Sequence, residues 1–175
     1  FFECQQDHLY DNGRPTISVG NTASPYLSYN AFVYTPLVLG VAAPSPKNAI
    51  SSGLRSQTSE GNPAIMPAQG TKCFDLTSIR HACILNLQVG FAGVGVSCTI
   101  QFAARRYGSD VTKVRELLYN AGNTFLNPFN TTTFSKADFG CVSRVDVALL
   151  SANVIDSNTV VGIHFDDFKY TAYTK

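Results

Sequence analysis

Residues 160–173, VVGIHFDDFKYTAY, place two adjacent carboxylates, Asp166 and Asp167, and one histidine, His164, inside an otherwise apolar and aromatic run. Buried charge is costly unless it is paired, hydrogen-bonded or metal-bound, so these residues need a role. Glycoside hydrolysis sets two carboxyl groups about 5–9.5 Å apart on either side of the scissile bond. Sequence neighbours on one strand do not offer that geometry. His164-Phe165-Asp166 is an H-x-D motif with both polar side chains on one face of a regular strand. With a distant histidine, here His8 or His81, it is the ligand set of a facial-triad iron oxygenase, the enzyme alternative for this chain. Asp166 and Asp167 can reach a common partner only if the strand bulges. The three-residue spacing of Phe165 and Phe168 predicts such a bulge if both rings enter the core.

Five cysteines, at 4, 73, 83, 98 and 141, contain no C-x-x-C pair, which argues against a zinc ribbon or a thioredoxin-type site. Widely scattered cysteines fit disulfides in an oxidising compartment. In a hairpin centred on the Gly-rich stretch GFAGVG, Cys83 and Cys98 fall opposite each other, and a non-hydrogen-bonded pair brings β carbons close enough to bridge. Cys4–Cys73 is the second expected bridge, tethering the N-terminus and leaving Cys141 as a small core residue. Asn130-Thr131-Thr132 is a glycosylation sequon, usable in a secreted chain. His81, just ahead of an apolar strand, reads as a partly buried structural histidine. No G-x-S-x-G elbow is present. Tyr10, Tyr26, Tyr29, Tyr34 and Tyr107 are candidates for a stacking surface against sugar rings, since each offers an apolar face with a polar tip.

The 175 residues suit one domain, taken as 1–175, with a sizeable core. A net charge of +1 with 14% charged residues, and no cationic run beyond Arg105-Arg106, argues against nucleic acid or an anionic membrane surface as partner. No apolar run approaches the length of a membrane-spanning helix. The opening FFECQQ, with no initiator methionine, points to a processed or truncated chain.

The elements that must carry these residues read as strands. CILNLQV (83–89) and VSCTIQFAARRY (96–107) form one predicted antiparallel pair. RVDVALL (144–150) and TVVGIHF (159–165) form another, around SANVIDSN. NAFVYTPLVLGV (30–41) offers one long strand or two short ones, and NAISS and PAIM are short strands within 42–72. SDVTKVRELLYNAG (109–122) fits a helix, with Val111, Val114, Leu117 and Leu118 at helical spacing, and fits an edge strand as well. Many short strands and almost no helix define an all-β, antiparallel β-sandwich of jelly-roll type, with at most one short helix.

In order along the chain, YLSYNAFVY (26–34), FDLTS (74–78), SCTIQFAARRYG (97–108) and FDDFKY (165–170) resemble secreted fungal β-sandwich proteins related to carbohydrate-binding modules, over roughly residues 26–170. The resemblance implies a jelly roll, an extracellular location and no hydrolytic machinery. It also implies a structural calcium held by Asp166 and Asp167 with Glu3 from the N-terminal strand; calcium takes 6–8 oxygen ligands in general. Tyr29 stands where the pattern has a tryptophan, and the chain contains no tryptophan at all. The expected function is therefore non-catalytic binding at a host or cell-wall surface, as an effector, an elicitor or a glycan-binding protein. A glycan or a host surface protein is the expected partner.

Overall fold

The alternation in CTIQFAARR builds a half-buried strand: Cys98, Ile100, Phe102 and Ala104 point into the core, while Thr99, Gln101 and Ala103 point away. The same logic repeats throughout the computed structural model, which describes residues 7–10, 27–30, 33–36, 41–42, 48–52, 63–86, 93–122, 127–153 and 160–174. Five short strands come first: β1 (Asp7–Tyr10), β2 (Leu27–Asn30), β3 (Val33–Pro36), β4 (Val41–Ala42) and β5 (Asn48–Ser52). Then follow β6 (Ala64–Pro67), β7 (Thr71–Asn86), β8 (Gly93–Gly95), β9 (Cys98–Arg106), β10 (Thr112–Tyr119), β11 (Asn127–Pro128) and β12 (Asn130–Thr133). A single-turn helix, α1 (Lys136–Phe139), precedes β13 (Val142–Ala152) and β14 (Val160–Thr174). Ser135 caps α1 by accepting from the Asp138 amide, and its hydroxyl donates to the Asp138 carboxylate at 2.8 Å.

The fold is all-β and almost wholly antiparallel, as expected; β4 and β11 form a small parallel pair. β7 and β14 run antiparallel along nearly their whole length, from Val160 opposite Asn86 to Thr174 opposite Thr71. The sheet continues in the order β10-β9-β13-β7-β14-β5-β3. β13 meets β7 at one pair only, Val142 with Phe74. Beyond it the β9–β10–β13 wing folds over the β7–β14 wing. Phe102 then packs edge-on against Phe165 at 5.5 Å and stacks on Phe134 at 5.7 Å. One apolar core fills the space between the wings. Together the ladders make one curled sheet with sandwich-like packing.

Several sequence-based pairings change. β13 and β14 are not hairpin partners, because β7 lies between them. The strand after Cys83 pairs with β8, whereas β9 pairs with β10 and β13. In the β7–β8 ladder Ile84 lies opposite Gly95, and the Val96 amide donates to the Cys83 carbonyl, so Cys98 is not the cross-strand neighbour of Cys83. The chain turns at Val96–Ser97 into the other wing, and the Cys83–Cys98 disulfide closes the gap between the wings, Cα to Cα 6.3 Å. Segment 109–122 contains strand β10 and no helix. Its Leu117 and Tyr119 reach the core, while Val114 and Leu118 alternate outward.

The bulge inferred from Phe165 and Phe168 is present. Asp166 lies opposite Arg80 and Lys169 opposite Ser78, so β14 spends one more residue than β7 over this stretch. Asp167 takes up the extra length at φ +46°, a left-handed conformation that few non-glycine residues adopt. Both phenylalanines are thereby fully buried. β7 compensates one step later at Thr77, whose carbonyl, freed from the ladder, accepts from the Phe134 amide.

Candidate functional site

β7 and β14 set Cys73 directly opposite Tyr173, and Asp75 follows two residues on, so all three share one face. Diagonal neighbours on adjacent strands lie within reach of a long side chain. The Tyr173 hydroxyl accordingly donates to Asp75 Oδ2 at 2.8 Å. The Cys141 amide donates to Asp75 Oδ1 at 2.6 Å, and the Lys136 ammonium lies 3.1 Å from Oδ2. Lys136 also donates to the Tyr173 oxygen at 3.2 Å. Asp75 is 8% exposed and thus has three donors around a nearly buried carboxylate. The hydrogen bonds to Asp75 and Tyr173 hold the Lys136 pKa above its ordinary value, and burial, aided by Asp75, raises that of Tyr173.

The second disulfide completes the frame. Cys73 is joined to Cys141, Cα to Cα 4.9 Å, which corrects the expected Cys4–Cys73 bridge. Val142 is paired with both Phe74 and Arg106, so the start of β13 necessarily brings Cys141 against the start of β7. Sequence separation gave no hint of this, because the two cysteines are 68 residues apart. Cys141 adopts φ +44°, and its carbonyl accepts from the Tyr107 amide at 2.8 Å. Gly140 sits where a Cβ would collide with the Lys136 carbonyl, so a side chain there would push α1 away.

Around this frame opens a cleft of about 270 Å³ lined by Lys72, Arg106, Lys136, Asp75 and Tyr173, with the Cys73–Cys141 bridge and Gly140 in its wall. Its three cations face one carboxylate, a net of +2, on a chain whose total is +1. Among the described residues Lys72 and Arg106 have no carboxylate partner. The Lys72 ammonium instead lies 5.1 Å from the centre of the half-exposed Tyr107 ring.

Of the expected ligand-binding tyrosines, Tyr107 lies beside this cleft, under the Lys72 ammonium, without being part of its lining. Tyr29 lies on β2 opposite Ile65 and Tyr34 on β3 opposite Ile50, on separate branches of the sheet. Tyr26, Glu3 and Cys4 lie outside the described residues. Asp166 is fully buried and accepts from the Asp167 amide at 2.8 Å, while the Asp167 carboxylate lies 3.4 Å from Arg80. The Asp167 carboxylate thus already faces a cation, while Glu3, the third expected calcium ligand, is not among the described residues. No group of three or more potential metal ligands occurs among the described residues.

His164 lies opposite Ala82 and Ser51, whereas His81 lies opposite Phe165, one residue out of step, so the two histidines face opposite sides of the sheet. The H-x-D pair and His81 therefore do not form one triad. Burial lowers the His164 pKa to about 4 and also lowers that of His81, which the nearby Leu118 carbonyl raises slightly without hydrogen-bond geometry. His81 is fully buried, more than its sequence context implied, and its ring meets Tyr119 edge-on at 6.3 Å. Asn130, the sequon residue, lies on β12 opposite His81; its Nδ2, the atom a glycan would take, donates to the Leu118 carbonyl at 3.3 Å.

The fold and site together define a disulfide-bonded, all-β domain with a cation-lined cleft. No known family model matches the chain. No curated protein matches its sequence.

Proposed function

We propose that this chain is a secreted, non-catalytic binding domain that takes carbohydrate at the cleft between Lys72, Arg106, Lys136 and Tyr107, and so acts at a cell-wall or host surface in the manner of a fungal effector or glycan-binding protein. The observation that carries the reading is the cleft itself: preorganised by a disulfide and a saturated carboxylate, with one of its lining cations, Lys72, resting over the exposed Tyr107 ring. Preorganised polar groups beside an exposed aromatic face suit a sugar, which offers hydroxyls at its edge and C–H groups on its face. The cleft carboxylate is committed to three donors, which suits a framework role better than a catalytic base. Two disulfides support an oxidising, extracellular setting, and among the described residues no helix is long and apolar enough to cross a membrane.

A glycan array probed with the intact protein and with Tyr107→Ala tests this. Retention of a defined glycan class by the intact protein, lost in the variant, supports it. An array with no ligand above background overturns it.

A further inference from the structure

The cleft's charge identifies the class of ligand within the reading just proposed, on which this inference rests. We infer that the cleft selects an anionic group, the carboxylate or sulfate of an acidic sugar residue, and that Arg106 is its main anchor. A cluster of lysines and arginines on a protein surface is usually balanced by carboxylates or spread over solvent. Here three cations from three separate elements, Lys72 on β7, Arg106 at the end of β9 and Lys136 on α1, line one concavity. Among the described residues only Lys136 is compensated, by Asp75. Arg106 has neither an ion-pair nor a side-chain hydrogen-bond partner among the described residues, although Val142 on the neighbouring strand fixes its backbone. An uncompensated guanidinium at a fixed position offers the planar donor fork that suits a carboxylate or sulfate oxygen pair. Lys72 adds a second positive charge and, resting over the Tyr107 ring, ties the anion site to the stacking surface. Asp75 stays neutralised by its own donors and so does not repel the anion strongly. Anionic group in the cleft, sugar face on Tyr107 and chain leading away over the rim is the arrangement this geometry accommodates.

Calorimetric titration of the intact protein against four probes tests it: a uronic-acid oligosaccharide, a sulfated oligosaccharide, a neutral oligosaccharide of the same length and inorganic sulfate. The expected result is that at least one charged oligosaccharide binds, weakening as salt is raised from about 50 to 200 mM, while the neutral one does not. The stronger of the two charged arms identifies carboxylate or sulfate as the recognised group. Arg106→Gln weakens binding by roughly ten- to hundredfold, the value of one charge-assisted hydrogen-bonded contact, and Lys72→Gln by less. Both side chains are at the cleft surface, so thermal melts of these variants should match the parent. Neutral and charged oligosaccharides binding alike, with Arg106→Gln silent, overturns the anion inference and leaves the carbohydrate reading standing. Inorganic sulfate binding through Arg106 with no oligosaccharide bound overturns the carbohydrate reading and leaves the anion site. No binding by any probe overturns both.

Discussion

Replacing Asp75 with alanine removes the acceptor around which the cleft is organised. The Cys141 amide and the Tyr173 hydroxyl then lose their shared partner. Hydrogen bonds to a charged group contribute about 1.5–3 kcal/mol each. Both donors are half-buried, so water can replace part of what is lost and the lower end of that range applies. Two bonds at about 1.5 kcal/mol give a loss of roughly 3 kcal/mol. The Lys136 ion pair is solvent-exposed and is left out of the sum. For a chain of this length 1 kcal/mol moves the midpoint by roughly 2–4 °C, so the melt should fall by roughly 6–12 °C. Urea unfolding followed by tyrosine fluorescence measures it directly. Asp75→Asn keeps one acceptor oxygen and should lose about half as much. An alanine variant within about 0.5 kcal/mol of the parent would show that Asp75 does not organise this region.

Three further outcomes follow from the frame. Asp167→Gly should match or exceed the parent in stability, because glycine adopts φ +46° without strain, whereas Asp167→Val should lose about 1–3 kcal/mol in the same urea titration. A non-reduced digest should yield the peptide pairs 73–141 and 83–98; serine at both ends should cost about 4 kcal/mol for the 68-residue loop and about 3 kcal/mol for the 15-residue one. His164 is held neutral with its pKa near about 4 against 6.5 when unfolded, so between those pH values the unfolded chain binds the extra proton. Stability is then complete above pH 6.5 and declines as pH falls toward 4, by on the order of 3 kcal/mol. His81, lowered in the same direction, adds to the slope. From pH 7 to 4 the melting temperature of the parent should fall more steeply than that of His164→Gln; parallel curves would contradict the assignment.

Fold class was legible because period-2 alternation is a local property: β9 and the Phe165–Phe168 bulge can both be read from spacing. Strand partners were not. Hairpin logic joins sequence neighbours, so it paired 144–150 with 159–165 and missed β7 running between them. Cys73–Cys141 was illegible for the same reason, since it depends on Val142 lying next to both Phe74 and Arg106. The site was the least legible part. Lys72, Asp75, Arg106, Lys136 and Tyr173 are scattered over about a hundred residues, and of these only Arg106 has a charged neighbour in sequence. The available signals were faint: Asp75 within FDLTS, Arg106 in the only dibasic pair, and the S-x-x-D spacing of Ser135 and Asp138 that starts α1 and aims Lys136. The aspartate pair drew attention because adjacent charges in an apolar strand are conspicuous. The structure uses them to hold a bulge that seats Phe165 and Phe168.

The most direct test of the cleft as the ligand site is an amide NMR titration of the labelled protein with a short acidic oligosaccharide. Saturable shifts should concentrate at Lys72, Arg106, Tyr107, Lys136 and Cys141, and in Arg106→Gln the same shifts should need roughly ten- to hundredfold more ligand. Shifts confined to the outward face of β10, at Val114 and Leu118, with the cleft amides unmoved, would contradict it.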